Sequence, residues 1–200
     1  MSTSEKPLRI DIVSDVVCPW CVIGYRQLAA ALEQTNTAHT IHWHPFELNP
    51  NMPSEGQNLR EHIIEKYGST KQESDASRVR MTEAGQEVGF EFNFNDDTRM
   101  HNTFNLHQLL HFADQQGRMH ELKQALFTAH FTNNRDISDI NVLADIAAET
   151  GLDRSEEQHW QQQGIQSVPA IIFNERHLVS GAQGVENYIS ILEQLANMTE

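Results

Sequence analysis

Cys18-Pro19-Trp20-Cys21 holds the only two cysteines in a chain of 200 residues, and it sits where one backbone period gives way to another. Leu8, Ile10 and Ile12 alternate with Arg9 and Asp11, the spacing of a short strand over 8–13. After the pair, Cys21, Tyr25, Leu28 and Leu32 recur at i, i+4, i+7 and i+11, which is one face of a helix over about 19–34. Pro19 has a fixed φ and no N–H, so it suits the first helical position. Cys18 is then expected at the helix N-terminus, where unpaired N–H groups and the positive dipole end favour a thiolate. Cys21, one turn on, faces the core. That is the geometry of an attacking thiol and a resolving thiol. The same spacing can be half of a zinc site, but the chain has no second cysteine pair. It can also be two unrelated buried thiols. The strand-then-helix setting favours the redox pair.

Far along the chain, Ser167-Val168-Pro169 precedes the apolar run Ala170-Ile171-Ile172-Phe173. A proline is tolerated at the start of a strand, and proline is also where cis peptide bonds occur. Both an ordinary trans proline and a cis proline fit these residues; the C-x-x-C upstream favours the second.

With these features the chain resembles the DsbA-type branch of the thioredoxin superfamily, and within it the FrnE-like group. The likeness is carried by Ser14-Asp15-Val16-Val17-Cys18-Pro19-Trp20-Cys21, Pro45-Phe46-Glu47-Leu48-Asn49-Pro50 and Asn102-Thr103-Phe104. It continues through Phe131-Thr132, Gly151-Leu152-Asp153, Val168-Pro169 and Val179-Ser180-Gly181-Ala182-Gln183, nearly the whole chain. The resemblance implies an α/β, thioredoxin-like fold with an inserted all-helical domain. It also implies Cys18 as nucleophile, Cys21 as resolving thiol and Pro169 as a cis-proline facing them. A cis bond there would turn the Val168 backbone towards a substrate groove, where an extended segment can pair with it. There is one departure. Only ten residues, Arg154 to Gln163, lie between Leu152-Asp153 and Gly164-Ile165, where relatives carry a longer helical passage.

The rest of the chain reads as β-α-β, a helical block, then β-β-α. A second strand is expected over 39–46, followed by a proline- and asparagine-rich loop over 47–53. Two helices follow over 58–67 and 71–88, the second strongly polar, then an extended piece in which Phe90, Phe92 and Phe94 alternate with polar residues. Three helices then share one apolar spacing: Leu106, Leu109, Leu110 and Ala113; Leu122, Ala125, Leu126 and Ala129; Ile140, Leu143, Ala144 and Ala147. Strands are expected over 169–173 and 177–180, and a closing helix carries Val185, Tyr188, Ile189 and Leu192. Neither flank has enough strands for a sheet of its own, so the two should pair. The expected division is 1–50 and 164–200 for the thioredoxin-like domain, with 51–163 as the insertion.

Composition narrows the partners. Twenty-eight acidic residues against 14 Lys and Arg give a formal charge of −14, which argues against nucleic acid, since phosphate contacts need clustered cations. Hydrophobic content is 38% and mean hydropathy −0.53, with no run near the ~20 apolar residues of a membrane span, so no membrane partner is expected. The first residues lack a basic start followed by an apolar core, and two cysteines make no disulfide framework; the expected compartment is the cytoplasm. There the pair would spend much of its time as a dithiol, which suits a reductase or isomerase better than a bulk oxidant. Expected partners are disulfide-containing proteins or glutathione-like thiols, for a monomer or a homodimer. No bound cofactor or metal is expected, although glutathione could serve as reductant or ligand.

Other side chains invite chemistry. His107 and His111, at i and i+4, have a metal-ligand spacing without the Glu-x-x-His companion, and partly exposed polar faces are the plainer reading. His42 and His44 are expected on the polar face of the second strand. No histidine lies between the cysteines, so the helix terminus must do most of the thiolate stabilisation. Trp20 is either packing filler or a flat apolar surface for substrate. Asp15 is either a turn residue or a proton acceptor for the resolving thiol. Gly181-Ala182-Gln183-Gly184 reads as a turn, not a phosphate site. The expected function is protein thiol–disulfide exchange. One rival is a glutathione-dependent isomerase or transferase of the kappa or chromene-carboxylate isomerase type, in which Asn102 could contact the ligand; those enzymes typically carry a serine at the attacking position. A second rival is a holdase without turnover.

Overall fold

The computed structural model describes residues 6–152, 170–174, 176–180 and 183–197. Val168, Pro169, Gly181, Ala182 and the short passage 154–163 lie outside the described residues.

The chain opens with β1 (Leu8–Ser14), α1 (Pro19–Gln34) and β2 (His39–Pro45). The helical block holds α2 (Leu59–Tyr67), α3 (Lys71–Glu87), α4 (Phe104–Gln115), α5 (Met119–Phe127) and α6 (Ile140–Glu149). It also holds a two-stranded ladder that the sequence does not announce, β3 (Gln57–Asn58) against β4 (Arg99–Met100). The chain closes with β5 (Ala170–Phe173), β6 (His177–Ser180) and α7 (Val185–Asn197). Strands from both ends form one mixed sheet in the order β2-β1-β5-β6. β1 is parallel to β2, and β5 is antiparallel to both β1 and β6.

β1 takes a central place because it is apolar enough to be covered on both faces. From Ile10 to Ser14 every residue is buried. Asp11 is buried too, and its carboxylate accepts from Arg9 Nε (2.9 Å) and from His44 Nε2 (2.7 Å). His44 therefore faces Asp11 instead of simply meeting solvent, whereas His42 is exposed. α1 buries Cys21, Val22, Ile23, Gly24, Leu28, Ala31 and Leu32, and packs against α7, which buries Tyr188, Leu192 and Leu195. Each such large apolar side chain contributes roughly 1.5–3 kcal/mol on burial, so packing, more than propensity, holds α1 in place.

The helical block has an outer and an inner part. α2 buries none of its residues, and α3 buries only Ser74 and Gly85. Gly85 has a packing reason: a Cβ there would stand 2.5 Å from Cδ2 of Phe92. Phe90, Phe92 and Phe94 join no sheet; with Phe131 they form a cluster of ring contacts, and the Asn93 amide donates to the Phe131 carbonyl (2.8 Å). The inner helices bury Leu106, Leu110 and Ala113 in α4, Leu122, Leu126 and Phe127 in α5, and Leu143, Ile146 and Ala147 in α6. Ile140, expected in the apolar stripe of α6, is 56% exposed; Ile146 is buried in its place. α5 runs directly into a π-helical turn, Thr128–Thr132, whose wider winding turns Ala129, His130 and Phe131 inward.

Candidate active site

Ser14 ends β1, and Asp15, Val16 and Val17 carry the chain to the start of α1. Cys18 is the N-cap residue of α1, extended at φ −96° and ψ 108°, with Pro19 opening the helix. The turn is closed by the Cys18 amide donating to Asp15 O (3.3 Å) and the Cys21 amide donating to Cys18 O (3.1 Å). The two cysteines are a dithiol with unequal access: Cys18 keeps a 6% exposed edge, and Cys21 is wholly buried. Burial pushes the Cys21 thiol well above its ordinary range, and a hydrogen bond to Cys18 and repulsion from it act in the same direction. A backbone hydrogen bond at Asp15 and the charge of Lys123 oppose the rise.

Trp20 is 40% exposed beside Cys18. Tyr67, at the last residue of α2, is 61% exposed, yet it lies close enough to Cys18 to feel its charge. Desolvation and then Cys18 push its hydroxyl pKa upward. Asn102 lines a pocket of about 230 Å³ with Glu47, Pro50, Ser54, Phe104, Asn105 and Ser138. Its amide group is already engaged: Nδ2 donates to Met52 O (2.6 Å), and Oδ1 accepts from the Phe104 amide (3.0 Å) at the start of α4.

Beneath the cysteines lies a polar floor supplied largely by the helical block. Asp15 is fully buried and accepts from the Leu48 amide (2.8 Å), Thr103 Oγ1 (3.3 Å) and His107 Nε2 (3.1 Å). Burial alone would raise its carboxyl pKa; His107, the Leu48 amide and Lys123 together hold it below the usual carboxylate range. His107 is thus buried against Asp15 and not on a partly exposed face, while His111 meets Gln115 (3.4 Å). Burial lowers His130, in the π turn, to about 3, with help from His101; His101 is itself lowered by burial and sits 3.0 Å from Asp136. Lys123 of α5 is completely buried; its Nζ donates to Ser14 O (3.3 Å). Trp43 walls this floor, donating from Nε1 to His120 Nδ1 (3.1 Å). His120 Nε2 then carries the proton facing the Tyr25 oxygen (3.2 Å).

Sequence reasoning places Cys18, Cys21 and Trp20 where the structure has them, and it offers both roles for Asp15. It passes over Tyr67, His107 as a partner of Asp15, and Lys123. One signal for Lys123 was present: it lies four residues after Met119 and four before Phe127, a charged residue within an apolar helical arc.

A mixed sheet in the order β2-β1-β5-β6, with a C-x-x-C opening the first helix and helices inserted between β2 and β5, is a thioredoxin fold with a helical insertion. The model of the DSBA-like thioredoxin domain matches residues 9–193, and the chain belongs to that family. It is 27% identical over 146 residues to the uncharacterized protein YwbO of Bacillus subtilis, covering 73% of this chain and 68% of the relative. The crystal structure of the probable DsbA oxidoreductase SCO1869 from Streptomyces coelicolor is similar at a TM-score of 0.84 and 27% identity, over 94% of this chain and 89% of that one. The cytosolic disulfide reductase DsbM from Pseudomonas aeruginosa shares the fold at a TM-score of 0.61 and 16% identity, over 95% and 99% of the two chains.

Proposed function

We propose that this protein is a thiol–disulfide oxidoreductase working as a reductase or isomerase, with Cys18 as nucleophile and Cys21 as resolving thiol. The observation that carries the reading is the asymmetry of the pair: one sulfur at a helix N-cap with an exposed edge, the other buried one turn on with its pKa raised. Cys18 thiolate attacks a substrate disulfide, one substrate thiol departs, and a mixed disulfide forms. Cys21 then attacks the Cys18 sulfur, the second substrate thiol departs, and the Cys18–Cys21 disulfide holds the oxidising equivalent. Two equivalents of an external thiol restore the dithiol and leave as their own disulfide. A glutathione-like thiol suits that role, and the structure of DsbM with GSH supports this choice. No further cofactor enters, because both electrons reside on sulfur.

Trp20, next but one to Cys18 in the chain, and Tyr67, close enough to feel its charge, offer exposed ring surface for the substrate. Pro169 as the proline facing the cysteines, which the family resemblance implies, and the Val168 backbone as the edge that pairs with substrate are part of this proposal. Asn102 acts through the shape of its pocket, since its amide is occupied. The cytoplasm remains the proposed compartment, where a dithiol reductase finds thiols to recharge it.

Insulin reduction tests the assignment. Cys18→Ser should abolish it, and Cys21→Ser should trap covalent substrate adducts on Cys18. If both variants instead conjugate glutathione to a small electrophile at the wild-type rate, the transferase reading replaces this one.

A further inference from the structure

We propose that Lys123 of α5 supplies the buried positive charge against which the Cys21 thiolate forms, so that the helical insertion is itself a part of the redox site. The inference rests on the assignment of Cys21 as resolving thiol.

An ammonium group with no exposed surface is costly unless it is paired and well hydrogen-bonded. Lys123 is poorly provided in this respect. Among the described residues its three N–H donors have one acceptor, Ser14 O at the long distance of 3.3 Å. Its other neighbours are ring faces, Trp43 at 5.7 Å and Phe127 at 5.4 Å from their centroids. Its charge interacts first with the Asp15 carboxylate and then with the sulfurs of Cys21 and Cys18. Asp15 already accepts three hydrogen bonds from other groups. Asp15 remains the standing counter-charge of Lys123, and Cys21 presents a second negative charge to it only when it loses its proton. Burial lowers the Lys123 pKa to about 8, so at neutral pH the ammonium form still predominates.

The resolving step then balances simply. Cys21 releases a proton to water and its thiolate forms beside the Lys123 charge. The thiolate bonds to the Cys18 sulfur, the bond from Cys18 to the substrate sulfur breaks, and the departing thiolate takes up a proton from water. Lys123 remains charged throughout and transfers nothing. It is a positioning residue for charge.

Several titratable groups face this pair. Asp15 and Cys18 flank it from the loop and from α1. His107 of α4 hydrogen-bonds Asp15, and His130 of the π turn feels its charge. His120, on the same helix as Lys123, is bound to Trp43. Tyr188 of α7 faces Cys21; burial pushes it up to about 12, so it stays neutral through the working range.

The test follows release of a chromogenic aromatic thiol from a mixed disulfide preformed on Cys18, in the full-length protein. Release by Cys21 should accelerate with pH in the wild type and then flatten through about pH 8 as Lys123 discharges. Lys123→Met should slow release at pH 7 roughly tenfold or more, the usual effect of removing a nearby opposite charge, and should rise with pH without the break. Lys123→Arg, charged at all these pH values, should restore the pH 7 rate and also lack the break. A wild-type profile without the break overturns the inference, and needs no variant to fold. So does a folded Lys123→Met protein with the wild-type rate. If the wild type fails to release the probe while an added dithiol does, the assignment of Cys21 falls, a different outcome from either of these.

Discussion

The outer and inner helices of the insertion are held in opposite ways. α2 and α3 bury almost nothing and are fixed at their ends. Asn58 caps α2 through the Arg60 and Glu61 amides, Gly68 ends it at φ +66°, and a Thr70–Glu73 capping box starts α3. Arg60 ties the two together by pairing with Asp75 of α3 and with Asp96 beyond it (2.7 Å). α4, α5 and the π turn bury apolar stripes, yet they carry His107, Lys123 and His130 into the interior. A charged or titratable side chain at a core position works against folding unless it is paired and hydrogen-bonded. The inner helices therefore build the core and carry titratable groups into it, whereas α2 brings Tyr67 close enough to Cys18 to feel its charge and α3 packs Gly85 against Phe92.

Truncation of the inner core should show this contrast most strongly. Leu110→Ala, at a fully buried position of α4, should cost about 2–5 kcal/mol in chemical denaturation. A loss under about 1 kcal/mol would mean that the inner helices are not packed as described.

Acid should act next, and most strongly through the inner region. Burial holds His130 down to about 3, while an unfolded histidine titrates near ~6.5. As pH falls below ~6.5 the unfolded chain binds the proton first, so stability is lost from there down to about 3. Asp15 behaves differently. Its lowered pKa contributes stability that is complete above the unfolded carboxylate value of ~3.9 and is lost only as pH falls below it. Urea midpoints measured from pH 7 to pH 4 should therefore decline in the wild type and decline much less in His130→Leu. Equal slopes in the two proteins would contradict the buried, neutral state of His130.

The outer helices should give the smallest effects. Thr70→Ala removes the cap of α3 and should cost about 1 kcal/mol. Arg60→Gln should do less, and its effect should fade in added salt, because exposed ion pairs are screened. A salt-resistant loss at Arg60 would show that α2 and α3 depend on that pair.

The fold was legible wherever one period dominated. The helix read from Pro19 to Gln34 and the strand read over 177–180 have those bounds in the structure. Cys18, Cys21 and Trp20 stand where the spacing puts them, because a proline after a strand and an apolar face after the proline leave one arrangement. What was not legible was contact across distance. Asp15 meets His107 across 92 residues and Lys123 meets Ser14 across 109, and no local pattern encodes either. The π turn leaves no periodic trace, since one extra residue per turn over five residues is too short a signal. Ile140 shows the opposite error: the spacing was right, but the first helical position of α6 projects beyond the core it was expected to fill.

The central claim is that Cys18 and Cys21 form one redox pair. Equilibrating the protein in glutathione buffers of varied ratio, then counting thiols by alkylation and intact mass, addresses it most directly. The account predicts a single two-electron transition in which both thiols disappear together and the chain stays free of covalent partners. Loss of one thiol with a stable glutathione adduct or a covalent dimer, or two thiols surviving the most oxidising buffer, would contradict it.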